Sequence, residues 1–294
     1  MKKILLIVSS TLLLANSFLA QDSGDNFDKK FRFGLRVAAQ PTWLSSNDGF
    51  TSKDKTGFGY GFGLVTEFKL SDIIHLQTGI GGDFERGSVK YKNGFTINPP
   101  AGVGAFYTLD INGNMVEAKD GVGTASYSSS TNQLYQVTAR TIKATYITIP
   151  LLLKMMTKEI SGMRYFGMFG GEIGIRSGLK ADDKVQQFSV ISTPPYINLA
   201  TTTNNNLNIG KDGSLIPLRF GLNVGLGTEY RLSGSTAMFI NVNYFHSFTN
   251  TMRKESKYMY TDAVVDQNKS TINFTNLKQS LMMRAVRINI GVMF

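Results

Sequence analysis

Residues 57–70 read GFGYGFGLVTEFKL and alternate between two kinds of side chain with a period of two. The even positions are mostly large and apolar, as at Phe58, Phe62 and Leu64, whereas the odd positions are mostly glycine or charged, as at Glu67. Side chains of a β-strand alternate between its two faces, so the stretch predicts a strand with one apolar and one small or polar face. The strict period favours glycines that make room for long side chains opposite over a nucleotide-binding loop.

Seven further segments repeat this alternation. Each is about as long as a tilted strand needs to be to cross a bilayer, about 10 residues. They are residues 31–43, 74–84, 145–155, 164–176, 216–232, 238–248 and 286–294.

The apolar face of these segments is almost free of charge. Arg284 is its one formally charged residue, whereas many ionisable residues occupy the opposite face. An apolar face turned to lipid and a polar interior are typical of a membrane barrel, and closure satisfies the strand edges within hydrocarbon. We therefore predict an all-β, eight-stranded antiparallel transmembrane β-barrel over residues 31–294. Asn112-Gly113 is typical of a hairpin tip, and a ten-stranded barrel that uses this hairpin is the alternative.

The connections alternate in length. Residues 71–73, 157–162 and 233–235 form short links, and residues 45–56, 86–140, 177–215 and 249–280 form long ones. Short periplasmic turns and long outer loops are characteristic of outer-membrane barrels. Both termini are therefore expected in the periplasm and the long loops outside the cell.

The N-terminal segment is predicted to be a cleaved signal peptide. Lys2 and Lys3 precede a short apolar run that ends near Ala20, a pattern typical of secretory signals; an uncleaved anchor is the alternative. Residues 1–20 are assigned to the signal and residues 21–30 to a polar periplasmic tail. The sequence contains no cysteine, which excludes disulfides and a lipid-anchored lipoprotein.

The formal net charge of +10 indicates an anionic partner. A secretory signal makes nucleic acid an implausible partner, so we expect outer-membrane lipid and lipopolysaccharide as the anionic partners instead. Counting back along the last strand from Phe294 at the periplasmic rim places Arg284 at the outer edge of the apolar band. Its guanidinium can pair with lipid phosphate there. Arg253, Lys254 and Lys257 of the adjoining loop are predicted to extend this contact, and a solvated rim arginine is the alternative.

Enzymatic chemistry is not indicated. His75 lies near a short turn and His246 lies on the apolar face, neither with an evident partner, and the sequence predicts neither a metal site nor a cofactor. The inward charges are instead expected to fill the lumen as a paired plug, with a narrow anion-leaning pore as the alternative. This predicted lumen network comprises Arg32, Arg36, Glu67, Asp83, Glu85, Lys154, Glu172, Arg176, Arg219, Glu229, Arg231 and Arg287.

Residues 146–154, YITIPLLLK, resemble a characteristic stretch of the PorT-like outer-membrane β-barrel family, and residues 165–171, YFGMFGG, resemble the glycine-rich strand that follows it. Phe294 resembles the C-terminal aromatic residue that many such barrels present to the barrel assembly machinery. The resemblance covers nearly all of the mature chain. It implies a non-enzymatic barrel with a structural or partner-binding role, which in some members supports protein secretion; a narrow pore for small solutes is the alternative. Within the stretch, Pro150 lacks an N–H and predicts a bulge or a local widening between the fourth and fifth strands.

Overall fold

The computed structural model describes residues 29–94, 96–97, 100–110, 112–117, 122–126, 133–189, 197–207, 209, 217–252, 255–266 and 271–294. The predicted signal peptide and most of the predicted tail lie outside these ranges. The described residues contain no helix that is long and apolar enough to cross a membrane. They form fifteen strands: β1 (Phe31–Ser46), β2 (Thr51–Lys69), β3 (Ile74–Tyr91), β4 (Thr96–Ile97), β5 (Pro100–Gly102), β6 (Ala105–Leu109), β7 (Val122–Ser126), β8 (Gln133–Met156), β9 (Met163–Ser189), β10 (Ile197–Leu207), β11 (Leu218–Ser233), β12 (Thr236–Asn250), β13 (Glu255–Asp266), β14 (Thr271–Lys278) and β15 (Leu281–Met293).

Eight of these strands close into a barrel. Each is antiparallel to its neighbours in the ring β1-β2-β3-β8-β9-β11-β12-β15, and β1 pairs with β15 to close it, with Leu35 opposite Val292. The predicted eight-stranded fold is confirmed. The turn at Asn112-Gly113 exists, with the Gly113 N–H donating to Asp110 O at 3.0 Å, but it lies outside the ring, so the ten-stranded alternative is wrong.

The two faces of the barrel carry the predicted kinds of side chain. Large apolar residues point outward on all eight barrel strands and stay exposed, with Phe58 at 68% and Leu226 at 69% of their full accessible area. Arg32, Glu67 and Asp83 point inward and are almost fully buried. A continuous exposed apolar belt around a closed barrel requires a lipid environment, since water would penalise every one of those side chains.

The two ends of the barrel differ. Three tight turns join β2 to β3, β8 to β9 and β11 to β12 at one end, which we call the short-turn end. At the opposite, long-loop end β2, β3, β8 and β9 continue far beyond the belt. The 24 residues of β8 extend about 80 Å along the strand, whereas an apolar band is only about 25 Å tall.

The remaining strands build a folded cap on these extensions. β10 pairs with β9, β6 lies between β8 and β13, and β14 joins β13 to β7. The segments predicted as long outer loops form mostly paired strands in the described residues. An apolar cluster fills the space that the cap encloses, and its almost fully buried members include Tyr107, Leu44, Ile142, Met252, Met259 and Leu277.

Pro150 interrupts the pairing of β8 with β3 rather than with β9. On the β9 side Pro150 lies opposite Glu172 in unbroken register. On the β3 side the pairing skips Gly79 and Ile80, and the Thr78 hydroxyl donates to the Pro150 carbonyl at 2.7 Å. The bulge or local widening predicted at Pro150 between the fourth and fifth barrel strands is therefore not found there; these strands shift register between Thr145 and Tyr146 instead. The N and O of one residue point to the same neighbouring strand, and for Pro150 that strand is β3.

Candidate functional site

Inward charges of the barrel meet in two layers. The first, the short-turn layer, lies nearest the short turns. Arg32 on β1 donates to Glu67 at 2.6 Å and to Glu229 at 3.0 Å. Lys154 on β8 contacts the same two carboxylates, Glu67 at 2.7 Å and Glu229 more closely still. Two cations and two carboxylates from four different strands thus alternate in a closed square.

His75 joins the short-turn layer, which the sequence reasoning missed. Its Nδ1 lies 2.9 Å from Glu67, and the ring is buried. His75 therefore has a carboxylate partner after all. The period of two could have placed it inward, because it shares the parity of Gln77 and Asp83; its position beside the turn obscured that signal.

The second group, the central layer, contains three arginines and three carboxylates. Arg287 contacts Glu85 at 3.2 Å, Asp83 at 3.8 Å and Glu172 more closely. Arg219 bridges Glu172 at 3.1 Å to Glu85. All of these side chains are at most 4% exposed, and buried charges of this kind persist only when they are paired and hydrogen-bonded.

Arg36 completes the central layer, and aromatic rings seal its edge. Arg36 lies 3.7 Å from Asp83 and donates to Asn289 at 2.9 Å. The Arg219 guanidinium stacks 3.9 Å from the ring centroid of Tyr146 and 4.5 Å from that of Phe245. Such cation–π contacts stabilise a guanidinium that has been withdrawn from water.

Lumen glycines make these layers possible. Gly61 lies directly opposite Asp83, and a Cβ at Gly61 would overlap the Asp83 carboxylate. Gly225 has the same relation to Asn243. The predicted role of the inward glycines, to make room for long side chains opposite, matches this geometry.

A small polar cavity lies between the two layers. It measures about 30 Å³, and Arg36, Gln77, Asn223, Asn243 and Pro150 are among the residues that line it. The Oδ1 atoms of Asn223 and Asn243 are buried without a hydrogen-bond partner in the described structure. This volume and these polar groups suit one or two buried waters, not a solute.

A third ion pair closes the lumen above the central layer. Arg140 on β8 and Asp183 on β9 form a bidentate pair at 2.7 Å, with both residues at most 1% exposed. The pair is embedded in the apolar cluster of the cap, next to Tyr91 and Met259. Burial in this surrounding raises the pKa of the Tyr91 hydroxyl to about 12, so the group stays neutral.

Two residues of the predicted lumen network lie away from its two layers. Arg231 sits at the short-turn rim, where Nε donates to Gly234 O at 2.9 Å and the guanidinium lies 3.8 Å from Glu159. Its position at the end of β11 directs it to the rim, so its assignment to the interior is corrected. Arg176 lies opposite Tyr146, where β8 and β9 shift register.

Arg284 occupies the outward face near the long-loop end. Its neighbours in register are Trp43 on β1 and His246 on β12. Lys53 Nζ lies 5.2 Å above the Trp43 ring, and the Trp43 and Tyr244 ring centroids are 6.4 Å apart. Arg284 Nε is buried without a hydrogen-bond partner among the described residues. Cationic and aromatic side chains are thus combined at one edge of the apolar belt.

Of the loop cations predicted to join Arg284, Lys257 is the one that the described residues include, and its ion-pair partner lies elsewhere. Lys257 lies on β13, in the cap, and pairs with Glu117 at 3.4 Å. Arg253 and Lys254 lie outside the described residues. The fold instead places His246 beside Arg284 and Lys53 over the adjacent Trp43. These placements depend on cross-strand register, which the sequence alone does not give.

Solved structures of outer-membrane proteins that are similar to this chain share little sequence with it. The crystal structure of Neisserial surface protein A shares 8% identity over 89% of this chain and 95% of that one, with a TM-score of 0.33. OprG from Pseudomonas aeruginosa shares 12% over 90% and 95%, with a TM-score of 0.40. A major outer membrane protein from Thermus thermophilus shares 11% over 90% and 99%, with a TM-score of 0.33. No protein-family model and no curated relative matches the chain.

Proposed function

We propose that this protein is an integral outer-membrane barrel of a Gram-negative envelope whose closed body anchors a folded, partner-binding cap outside the cell. The observation that carries the proposal is the pairing of a lipid-type belt with a cap that has its own apolar core. A barrel that served only as a membrane plug would not need strands that extend so far beyond the belt. The short-turn end and both termini then face the periplasm, as short turns do in bacterial barrels.

The packed lumen favours this role over a narrow pore. Three sets of ion pairs balance six cations with six carboxylates, and the cavity between two of the layers has room for water only. Eight strands leave an interior that side chains just fill. We expect a non-enzymatic protein that binds through its cap, and the resemblance to PorT-like barrels favours support of protein secretion as the task.

Lipopolysaccharide is the lipid partner that the proposal includes. Arg284 lies at the rim of the belt beside Trp43, with an unsatisfied Nε. An arginine there can extend to the interface and pair with phosphate in a bidentate manner. The aromatic neighbours suit the boundary between hydrocarbon and headgroups, where such rings concentrate.

Site-specific photo-crosslinking in native envelopes tests the partner-binding role. A crosslinking amino acid at Asn112, in the exposed turn of the cap, is expected to trap a defined protein adduct. The same amino acid at Lys158, exposed at the short-turn end, serves as the matched control. Adducts from Lys158 alone would assign the partner to the periplasmic side, and none from any cap position would reject a partner-binding cap.

Orientation is tested on intact cells. An epitope inserted between Asn112 and Gly113 is expected to bind antibody without permeabilisation. Labelling that requires permeabilisation would reverse the proposed orientation.

A further inference from the structure

Three cations form a row across neighbouring strands on the outward face of the barrel. Arg86 on β3 lies directly opposite Lys143 on β8, and Lys143 lies directly opposite Lys180 on β9. Their chain neighbours, such as Glu85 and Leu179, are buried, so the three cations point outward. Like charges directly opposite each other destabilise a sheet, and a compensating anion would therefore stabilise this row.

The row lies just beyond the apolar belt. Phe84 is the outward residue that precedes Arg86 on β3, and Ile175 is the last exposed apolar residue before Lys180 on β9. From Ile74 at the short-turn end to Arg86 the strand advances about 40 Å. A tilt of about 40° converts this to a height of about 30 Å, slightly more than the apolar band of about 25 Å. Lipid phosphates lie at this depth.

The protein neutralises only part of the row. Lys143 Nζ lies 2.5 Å from Asp182, whose other oxygen accepts the Asn206 N–H at 2.9 Å. Partial burial raises the pKa of Asp182, but these contacts and the field of Arg86 outweigh it and hold the pKa below its usual value. Among the described residues, Arg86 and Lys180 have no carboxylate within ion-pair distance. The four side chains together keep two formal positive charges.

We propose that Arg86, Lys143 and Lys180 bind the phosphate groups of an outer-leaflet glycolipid of the lipopolysaccharide type. Neighbouring strands are about 5 Å apart, so one phosphate can contact two adjacent cations, and the arginine can bind it through two N–H groups. The site is separate from Arg284, since β8 and β15 lie on opposite sides of the ring. It rests on the proposed outer-membrane location, which places lipopolysaccharide at this height.

The test measures lipid retention by purified barrels in native mass spectrometry, with bisphosphorylated lipid A as the probe. Arg86→Gln combined with Lys180→Gln leaves the Lys143–Asp182 pair intact and removes two positive charges. We expect it to reduce lipid A retention about thirtyfold. Lys30→Gln combined with Lys158→Gln removes the same charge from exposed positions at the short-turn end and is expected to leave retention unchanged.

Other outcomes identify the source of the anion. Equal retention of dephosphorylated lipid A, or equal loss in the two double variants, would overturn the site. Displacement of lipid A by equimolar inorganic phosphate would overturn the lipid assignment in favour of a soluble anion. Fractionation and heat-dependent gel migration of each variant report location and folding. If the protein folds in the outer membrane but retains lipid A regardless of its phosphates, this inference alone is refuted. If the protein is found in another compartment, the proposed function is refuted.

Discussion

At the scale of single residues, the packing of the lumen depends on glycines that lie opposite long polar side chains. Gly61 accommodates the Asp83 carboxylate against its Cα, and Asp83 in turn accepts the Thr148 hydroxyl at 2.7 Å and lies near Arg36. The alternation of glycine with large apolar residues thus serves two purposes on one strand. The large residues face lipid, and the glycines leave the space that the ion pairs occupy.

Gly61→Ala is expected to destabilise the barrel because its Cβ would displace the Asp83 carboxylate from the central layer. Overpacking of this kind costs about 1–3 kcal/mol. The temperature at which the folded, fast-migrating band is lost on gels measures the change. Gly171→Ala is the matched control, since a Cβ there meets no atom within 4 Å on the outward face. Equal stability of the two variants would contradict the tight packing of the lumen.

Arg284→Ala is expected to weaken the co-purification of lipopolysaccharide while the barrel folds normally. The substitution removes the one outward arginine that lies between Trp43 and His246. Phosphate analysis of the purified protein measures the loss, and Lys158→Ala at the opposite end is the control. Unchanged lipid retention would reject this contact, and a folding defect would indicate that Arg284 has a structural role instead.

At the scale of elements, the strands that cross the membrane also build the cap. β8 and β9 pair over more than twenty residues, from Met156 opposite Phe166 to Leu134 opposite Phe188. The ladder continues without change of partner from the lipid belt into the region above it. The inward face changes from ion pairs to the apolar cluster that surrounds Arg140 and Asp183. The outward face changes from apolar residues to the cations Lys143 and Lys180.

Asp183→Asn is expected to destabilise the cap, because Arg140 would keep a buried charge without a carboxylate. Breaking a buried pair costs about 3–5 kcal/mol, whereas replacing both partners with apolar residues is often neutral. Arg140→Met combined with Asp183→Leu is therefore expected to restore stability. Limited proteolysis of the cap, with the barrel as internal reference, measures both effects. Equal protease sensitivity of the single and double variants would refute the pairing argument.

Deletion of Phe294 is expected to impair insertion more than secretion. Phe294 closes the ring at the end of β15, where its N–H donates to Phe33 O at 2.7 Å and the two ring centroids are 5.5 Å apart. We expect a several-fold lower level in the outer membrane and accumulation in the periplasm, measured by fractionation. Phe294→Tyr keeps the aromatic contact and is expected to insert normally. Normal outer-membrane levels of the truncated protein would refute an assembly role.

At the scale of the whole molecule, the barrel is a closed body with a charge-balanced interior. The short-turn layer, the central layer and the Arg140–Asp183 pair succeed one another along the axis, and the apolar cluster of the cap surrounds the last. Each set is neutral in formal charge when His75 is neutral. A pathway for solutes would have to separate buried partners at each level, which is energetically costly.

The purified protein is therefore expected to show no sustained nanosiemens conductance in planar bilayers. Eight strands leave no aqueous channel, in contrast to the wider barrels of porins. A general porin in the same bilayer is the positive control for insertion and recording. Sustained currents of porin size from the protein alone would overturn the closed lumen.

The sequence alone determined the eight barrel strands, the face that most of their side chains occupy and which connections are short. These features follow from the period of two and from the contrast between an apolar face and a charged face. Both the period and the contrast are local properties of each segment. The outward position of Arg284 and the inward position of Arg219 were predictable for this reason.

Only the tertiary structure decided which side chains meet. The partners of Arg32, the contact of His75 with Glu67, the ladder that Pro150 interrupts and the opposition of Arg86, Lys143 and Lys180 all depend on register between strands. The cap likewise depends on contacts between segments more than a hundred residues apart, such as Tyr260 opposite Phe106. Alternation fixes the face of a side chain but not its height along the barrel, and that height decides its partners.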